Sequence, residues 1–563
     1  MICAKHRPRW TLVQLLTIDN GGTLWSAEVI KARDTNRGDK GGSVVKSSSI
    51  LVALALSLSP VPALAQATGS LTVAFGAEGT TLDPTKYSAG VDQYYIGQMF
   101  EQLVRYDPDL KPVNWLAEKW ELQQQDGRPV IDVQLRPGVK FHNGDPMTSA
   151  DFEFCFERLR DPKVSRWSHL QANVEKIEIV DDLHFKIHFK APDGDYIAGA
   201  LQLWALPKKY FEKVGEDGFA RAPVGTGPWK FVSRSVKEEP KLEAFDDYWN
   251  KDARPGVKNL TIKIIPEDLT RVAAFKSGAV DWIDNVPPSM VAEFKKLPGV
   301  KTFTAISGNN LYIDFPTYNP ASPFSKLKVR QAAAQAVDMD AIVKSVLFGQ
   351  GERYAEVGKG SAGYNPELKP YAYNPKLAKQ LLVEAGYPTG FETPCYNLTT
   401  PREPNVKEMG EAVFAYLGQV GIRCKAQGLE YGAWINLGRR GRSGPPEMDG
   451  VLMWMWSQGL PGDPATPWGG HLHSFVAGKG WGSYSYTDDK QADTMIEQLK
   501  GTMEQPKRAE LIRQIAQYKH DNVLGGISTY RPVITLAWRD KVEFKPWPFP
   551  GAWRGFQEIG LKK

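Results

Sequence analysis

The sequence predicts a mixed α/β protein of two or more lobes, and three observations carry that expectation. The chain has 563 residues, more than one hydrophobic core usually serves. From Ser70 onward short β-rich runs alternate with helical stretches, which excludes a helical bundle or a β-sandwich. No fixed-period repeat and no long Gly/Ser linker interrupts this pattern, so the lobes must be joined by short crossings of the chain, as a hinge requires. An apolar content of 42% with 24% charged residues is ordinary for a globular protein and disfavours disorder or membrane-spanning classes.

Residues 1–43 mix Trp, Gly, Lys, Arg and Asp with no sustained period. The following stretch, "VVKSSSILVALALSLSPVPALAQA", reads as a secretory signal. Lys46 supplies the positive start, Ile50 to Leu58 the apolar core, Pro60 and Pro62 a break, and Ala63-Leu-Ala65 a small-x-small cleavage site. The apolar run is too short to span a bilayer. Signals stand at a true N-terminus, so translation is expected to start near Val44 or Val45, with 1–43 an upstream extension and 44–65 the signal peptide. No Cys stands directly after the signal core, so a protein without a lipid anchor, free in a bacterial periplasm, is expected. Beyond residue 65 the chain carries 61 basic against 60 acidic residues, a balance that gives no reason to expect a nucleic-acid partner.

The elements follow in order. "SLTVAFG" reads as a strand, "VDQYYIGQMFEQLV" as a helix, and "VIDVQLR", "HFKIHFK" and "LTIKIIP" as strands. In "TSADFEFCFERL" a Ser/Thr cap precedes a helix whose Phe152, Cys155, Phe156 and Leu159 share a face, so Cys155 is expected as a buried thiol. "VDMDAIVKSVLFGQG" offers Asp338 as cap and Gly349 as stop. "NPKLAKQLLVEAGY" offers Asn374 as cap, Pro375 at the first helical position, a face of Leu377, Leu381 and Ala385, and Gly386 as stop. The last segment, "STYRPVITLAWRDKVEFKPWPFPGAWRGFQEIG", is aromatic and β-rich, so the C-terminus is expected to return into a sheet of the first lobe. Cys395 and Cys424 could pair in an oxidising compartment or remain thiols.

The chain carries few catalytic motifs. Around Gly358-Lys359-Gly360-Ser361 a phosphate loop would need glycine where Arg353 stands and a hydroxyl where Gly360 stands. There is no Gly-x-Ser-x-Gly, His-Glu-x-x-His or Cys-x-x-Cys. His471 and His473 in "GGHLHSF" have no third ligand at a metal-site spacing and read as loop or packing histidines. No cofactor, no metal and no enzyme activity are expected.

Five stretches, in order, carry a resemblance: "LAEKWELQQQDGRPVIDVQLRPGVKFHNGDPMTSADFEFCFERL" (116–159), "APVGTGPWKF" (222–231), "RVAAFKSGAVDWID" (271–284), "KVRQAAAQAVDMDAIVKSVLFGQG" (328–351) and "NPKLAKQLLVEAGYPTGF" (374–391). Together they resemble the family 5 extracytoplasmic solute-binding proteins of ABC importers, the group of dipeptide-, oligopeptide-, opine- and nickel-binding proteins. The resemblance implies a bilobal periplasmic-binding-protein clamshell of class II type: residues 66–308 with 530–563 as lobe I, 309–529 as lobe II, joined by a hinge. It implies a monomer that encloses a peptide or peptide-like solute and delivers it to the membrane permease and ATPase subunits of an importer. Other readings stay open: the same fold holding an opine, a sugar conjugate, chelated nickel or haem, or, more remotely, a secreted enzyme or a chaperone-like protein.

Site residues come over position by position. In the dipeptide-binding relatives a second-lobe arginine after a strand pairs the ligand's carboxylate, and "YNLTTPREPNVKEM" gives Arg402 a similar place. The structural alternative is an exposed Arg402 paired with Glu403. Peptide binders anchor the ligand's amino group on an Asp shortly after a strand tryptophan. Here "MWMWSQGLPGDP" reads Ser457-Gln458-Gly459 at those positions, with Asp463 placed to shape the loop. That omission argues against assuming a free α-amino ligand. Trp454 and Trp456 share a strand parity, opposite to Met453 and Met455. Trp456, Ser457, Gln458 and Gly459 are the expected cleft residues, joined by Ser88, Gly90 and Val91 from the first lobe. Tyr431 and Trp434 complete the set, with core packing as their alternative.

Overall fold

The computed structural model describes residues 10–18, 24–32 and 67–562, except 78, 88–91, 109–110, 166, 198, 235–238, 308, 401–402, 441–445, 458–464, 475–485, 547–555 and 557–558. For 10–18, 24–32, 439–440, 446, 454–457 and 465–467 the backbone alone is described. The proposed signal peptide lies outside these residues. Residues 1–64 and 65–563 are two separate compact units. In the first, Trp10–Ile18 and Leu24–Ala32 pair antiparallel, Trp10 opposite Ala32 and Ile18 opposite Leu24. The sequence suggested no regular element there; both runs are rich in aliphatic and β-branched residues, which favour a strand pair.

The second unit is organised by twelve strands, labelled in chain order: β1 (Ser70–Phe75), β2 (Trp229–Ser233), β3 (Lys241–Ala244), β4 (Asn259–Ile264), β5 (Trp282–Ile283), β6 (Val300–Ile306), β7 (Asn309–Asp314), β8 (Gly351–Arg353), β9 (Phe391–Leu398), β10 (Ile422–Leu429), β11 (Val451–Ser457) and β12 (Ile527–Arg539). Their order is β2-β3-β4-β1-β5-β12-β7-β11-β9-β10, with β6 and β8 also paired to β12. Parallel pairs (β4/β1, β5/β1, β9/β10, β9/β11) mix with antiparallel ones. A separate four-stranded antiparallel sheet carries "VIDVQLR" and "HFKIHFK".

Buried side chains gather on two sides of this array. One large cluster draws on Leu71 to Ile262 and on Leu536 to Ile559. The other draws on Leu311 to Tyr530, with a satellite of Val357, Trp468 and residues 496–516. The chain crosses between them twice. The first crossing runs from β6 into β7 at 306–309. The second is within β12, whose early residues pair β7 and β8 (Leu311↔Tyr530, Gly351↔Pro532) and whose later residues pair β6 and β5 (Ile306↔Val533, Trp282↔Trp538). Ser307 N–H donates to Pro532 O at 2.7 Å, tying the two crossings together. The C-terminal segment thus enters the first sheet as expected, but its strand begins in the second.

Local signals set most elements. Thr148 and Asp151 form a reciprocal capping box at Ser149–Arg160, and Cys155 is fully buried there, its thiol pushed up to about 12 by burial. Asn374 accepts from Leu377 N–H and Asp338 from Ala341 N–H, as their positions predict.

Two expectations need correction. The helix read over "VDQYYIGQMFEQLV" spans only Gln93–Met99. The carbonyl of Met99 is taken by Gly227 N–H at 2.9 Å, and a Cβ on Gly225 would meet that oxygen at 2.0 Å, so a tertiary turn ends the helix. In Pro375–Glu384 the buried face is Ala378, Leu382 and Ala385, while Leu377 is 36% exposed. The larger leucines drew the face one residue too early.

Candidate functional site

The parallel strands decide where a ligand can sit, because ligands of open α/β sheets bind beyond the carboxyl ends of the strands. On the second-lobe side β9, β10 and β11 end at Leu398, Leu429 and Ser457, and antiparallel β7 begins beside them, Asn309 opposite Ser457 and Asn310 opposite Trp456. That edge is where the first crossing enters the lobe. On the first-lobe side β1 and β5 end at Phe75 and Ile283, and Ile283 pairs with Ala537 on the crossing strand. The loops leaving both lobes at this edge therefore face the two crossings, which gives a cleft over a hinge.

The loop after β9 is pinned on both flanks of Arg402. Thr399 Oγ1 donates to Leu429 O at 3.0 Å, and Thr400 Oγ1 both donates to Glu430 Oε2 (3.0 Å) and accepts from Tyr431 N–H (3.0 Å). Beyond it, Asn405 caps Val406–Val420 in a left-handed conformation, φ 52°, and its side chain donates to Val346 O at 2.7 Å. Glu403 is buried and accepts from Asn309 Nδ2 at 2.5 Å. Tyr530, fully buried, pairs with Leu311 and thus shares the β7 face of Asn309. Burial first, and the Glu403 carboxylate second, push its hydroxyl well above the usual range, so it stays a neutral O–H.

Arg402, Gln458, Gly459, Ser88, Gly90 and Val91 lie outside the described residues, and for Trp456 and Ser457 the backbone alone is described, at the end of β11. Ser88, Gly90 and Val91 follow β1 in the sequence, and the described residues on either side of them are fixed. Tyr87 is stacked on Trp167 (5.6 Å), and Asp92 accepts from Thr80 N–H (2.5 Å) and Oγ1 (3.1 Å). Tyr431, half-buried, begins the helix Tyr431–Arg440 and is held to Thr400 through its N–H. Trp434 is 1% exposed in the second-lobe core, and its indole N–H donates to Met453 O at 2.9 Å, so it fixes the helix against β11. Cys395 and Cys424 form a disulfide between β9 and β10. His471 is buried against the Asp314 carboxylate at 2.9 Å, and His473 contacts Glu497 at 3.2 Å. No group of three metal-ligating side chains occurs among the described residues.

A family model, the middle region of the bacterial extracellular solute-binding proteins, family 5, matches residues 111–470. The chain belongs to family 5 of the bacterial extracellular solute-binding proteins. This family 5 chain is 28% identical to a heme-binding protein A of Haemophilus influenzae over 78% of its own length and 82% of the relative's. It is 26% identical to a dipeptide-binding protein of Escherichia coli K12 over 82% and 92%. The solved periplasmic binding protein DppA of Helicobacter pylori, in complex with the peptide STSA, has the same fold. Its TM-score is 0.75 at 22% identity, covering 88% of this chain and 98% of that one. The bilobal clamshell is thus the fold of this family 5 chain, and family 5 proteins serve ABC importers, with peptides, glutathione, heme, opines and nickel complexes among their ligands.

Sequence reasoning about this family 5 member missed Asn309 and Tyr530 and saw Glu403 only as a partner for Arg402. Asn309 and Tyr530 are 221 positions apart and come onto adjacent strands only because β12 pairs with β7. The one local signal was a repeated amide, Asn309-Asn310, opening a β-run.

Proposed function

We propose that this chain is the periplasmic solute-binding component of an ABC importer, closing lobe I (66–308 and 530–563) and lobe II (309–529) on a peptide or peptide-like solute and handing it to the permease. The supporting observation is the convergence of strand ends and loops from both lobes on two short chain crossings. A hinge there lets the lobes close and exclude water, so each polar group of the solute must meet a partner or cost about 1–3 kcal/mol. Arg402, with a planar guanidinium, receives a carboxylate. Trp456 and Ser457 with Gln458 and Gly459 wall the cleft from β11, Ser88, Gly90 and Val91 from the first lobe, and Tyr431 from beside the Arg402 loop, with Trp434 behind it as support. The protein acts as a monomer, without turnover and without a cofactor.

Secretion through the signal at 44–65 is in keeping with the Cys395–Cys424 disulfide, since such bonds persist in oxidising compartments. No described helix is long and apolar enough to cross a membrane. A second reading, the same fold with a non-peptide solute such as an opine, sugar conjugate, chelated nickel or haem, is favoured by one observation: Gln458 and Gly459 stand where peptide binders place an acid.

Mass spectrometry of what the gently unfolded protein releases tests the proposal. An intact peptide or peptide-like solute supports the first reading and a metal chelate, opine or haem the second. Substrate and product released together would contradict both.

A further inference from the structure

We infer that Gly194 and Asp195 of lobe I dock on Arg508 of lobe II as a latch that holds the lobes closed and so sets solute affinity without touching the solute. This role rests on the solute-binding reading above. The lobe II half of the contact is built without help from lobe I. Helices Lys490–Gly501 and Gln505–Asn522 meet in a short turn, and the fully buried Arg508 donates from Nη1 to Leu499 O (2.8 Å) and Thr502 O (2.9 Å). Leu499 lies in the last turn of the first of these helices and Thr502 caps it, so a cation is favoured there. The guanidinium so fixed presents Nη2 across the lobes to Asp195 Oδ1 at 3.0 Å, where the carboxylate is 9% exposed.

Gly194 is the independent observation. Its N–H donates to Lys500 O at 2.6 Å, and a Cβ there would stand 1.6 Å from Arg508 Nη1 and 2.3 Å from Thr502 O, so only glycine lets the two backbones come this close. Met503, from the same turn, packs against the first-lobe cluster. The lobe I half is fixed by its own bonds: Asp195 N–H donates to Asp193 Oδ1 (3.0 Å) and Gly199 N–H to Asp195 O (2.8 Å). Gln171 Nε2 donates to Gly199 O at 3.3 Å, and nearby Trp167 Nε1 donates to Tyr87 O at 3.0 Å, which ties this segment to the first-lobe residues leading into the cleft. Neither 193–199 nor 499–508 belongs to the twelve-stranded array or to the two crossings, so rotation about 306–309 and 530–533 makes or breaks the contact as a unit. A contact present only in the closed form raises the closed fraction and lowers the apparent Kd by the same factor. Losing the carboxylate would leave Arg508 Nη2 buried without its counter-charge.

In the test, full-length protein is stripped of solute by unfolding and refolding, then held with or without the small-molecule fraction of yeast extract, and captured solutes are measured by mass spectrometry. Amides of 193–197 are expected to exchange their hydrogens about tenfold more slowly when solute is captured, because Gly194 N–H is covered only while the lobes are docked. Gly194→Ala sets a methyl against Arg508, and Asp195→Asn removes the charge at nearly constant volume. Each is expected to release captured solute about tenfold faster on dilution, with little change in the rate of capture, as the loss of one charged hydrogen bond predicts. The exchange measurement needs no variant, so a variant that misfolds leaves it intact. Exchange in 193–197 that ignores captured solute, or folded variants that retain solute as long as the original, overturns the latch while leaving solute binding standing. No capture from the fraction by the original protein overturns the solute-binding reading itself.

Discussion

His142 shows how much of the fold one side chain holds. It lies in the longest family stretch, and its ring joins that stretch to "APVGTGPWKF": Nε2–H donates to Gly227 O at 2.9 Å, Nδ1 accepts from Gly225 N–H at 3.2 Å, and Phe245 meets the ring edge-on at 5.1 Å. Burial depresses its pKa from 6.5 to about 4, so the folded ring is neutral where the unfolded one would be charged. Above 6.5 neither state takes a proton. Between 6.5 and about 4 only the unfolded state does, so stability falls with pH by up to about 3 kcal/mol across that window. Urea midpoints taken at neutral and acidic pH should show this loss in the original protein and its absence in His142→Asn.

Glu101 has three donors, Trp115 Nε1 (2.7 Å) and Tyr248 Oη (2.7 Å) on one oxygen and Trp249 Nε1 (2.9 Å) on the other, yet burial outweighs them and raises its pKa. Glu101→Gln turns an N–H₂ onto one of these donors and should cost about 1–3 kcal/mol in unfolding free energy. At the cleft, Arg402→Ala should weaken solute binding about tenfold or more by calorimetry with the released solute, the value of a charged hydrogen-bonded contact. Equal affinity would return Arg402 to a loop role.

Elements were legible where their signals are local. The Thr148 capping box, the Asn374 cap and the alternating strands could be read from neighbours in sequence. The end of Gln93–Met99 could not, because the group that stops it comes from Gly227, and the length of β12 could not, because one strand serves two sheets' worth of partners. The same limit applies to the site. Arg402 and the β11 end are proposed from family pattern, whereas Asn309 and Tyr530 come onto adjacent strands only through the register of β7 with β12.

The disulfide between β9 and β10 could be posed as a possibility but not decided from spacing; the parallel register brings Thr393 opposite Cys424, within reach of Cys395. It closes a loop of 29 residues. Loop-closure entropy makes its removal worth about 3 kcal/mol. A Cys395→Ala/Cys424→Ala double variant should show a lowered second-lobe transition in calorimetry, with little change in the first lobe.

At the scale of the whole molecule, two buried clusters share one continuous array of strands and two short crossings, an arrangement suited to rotation about 306–309 and 530–533. Tertiary ties at these points include the strand pairing of β12 with β6, β7 and β8, the Ser307–Pro532 and Val533–Gln350 backbone hydrogen bonds, and Arg531, which holds Glu352 and leaves no room for a side chain on Gly358. The measurement that bears most directly on the central claim is small-angle scattering of the stripped protein before and after its own released solute is returned. Closure on the solute is expected to give a smaller radius of gyration, with the solute recovered chemically unchanged. An unchanged radius, or a solute recovered as reaction products, would contradict it.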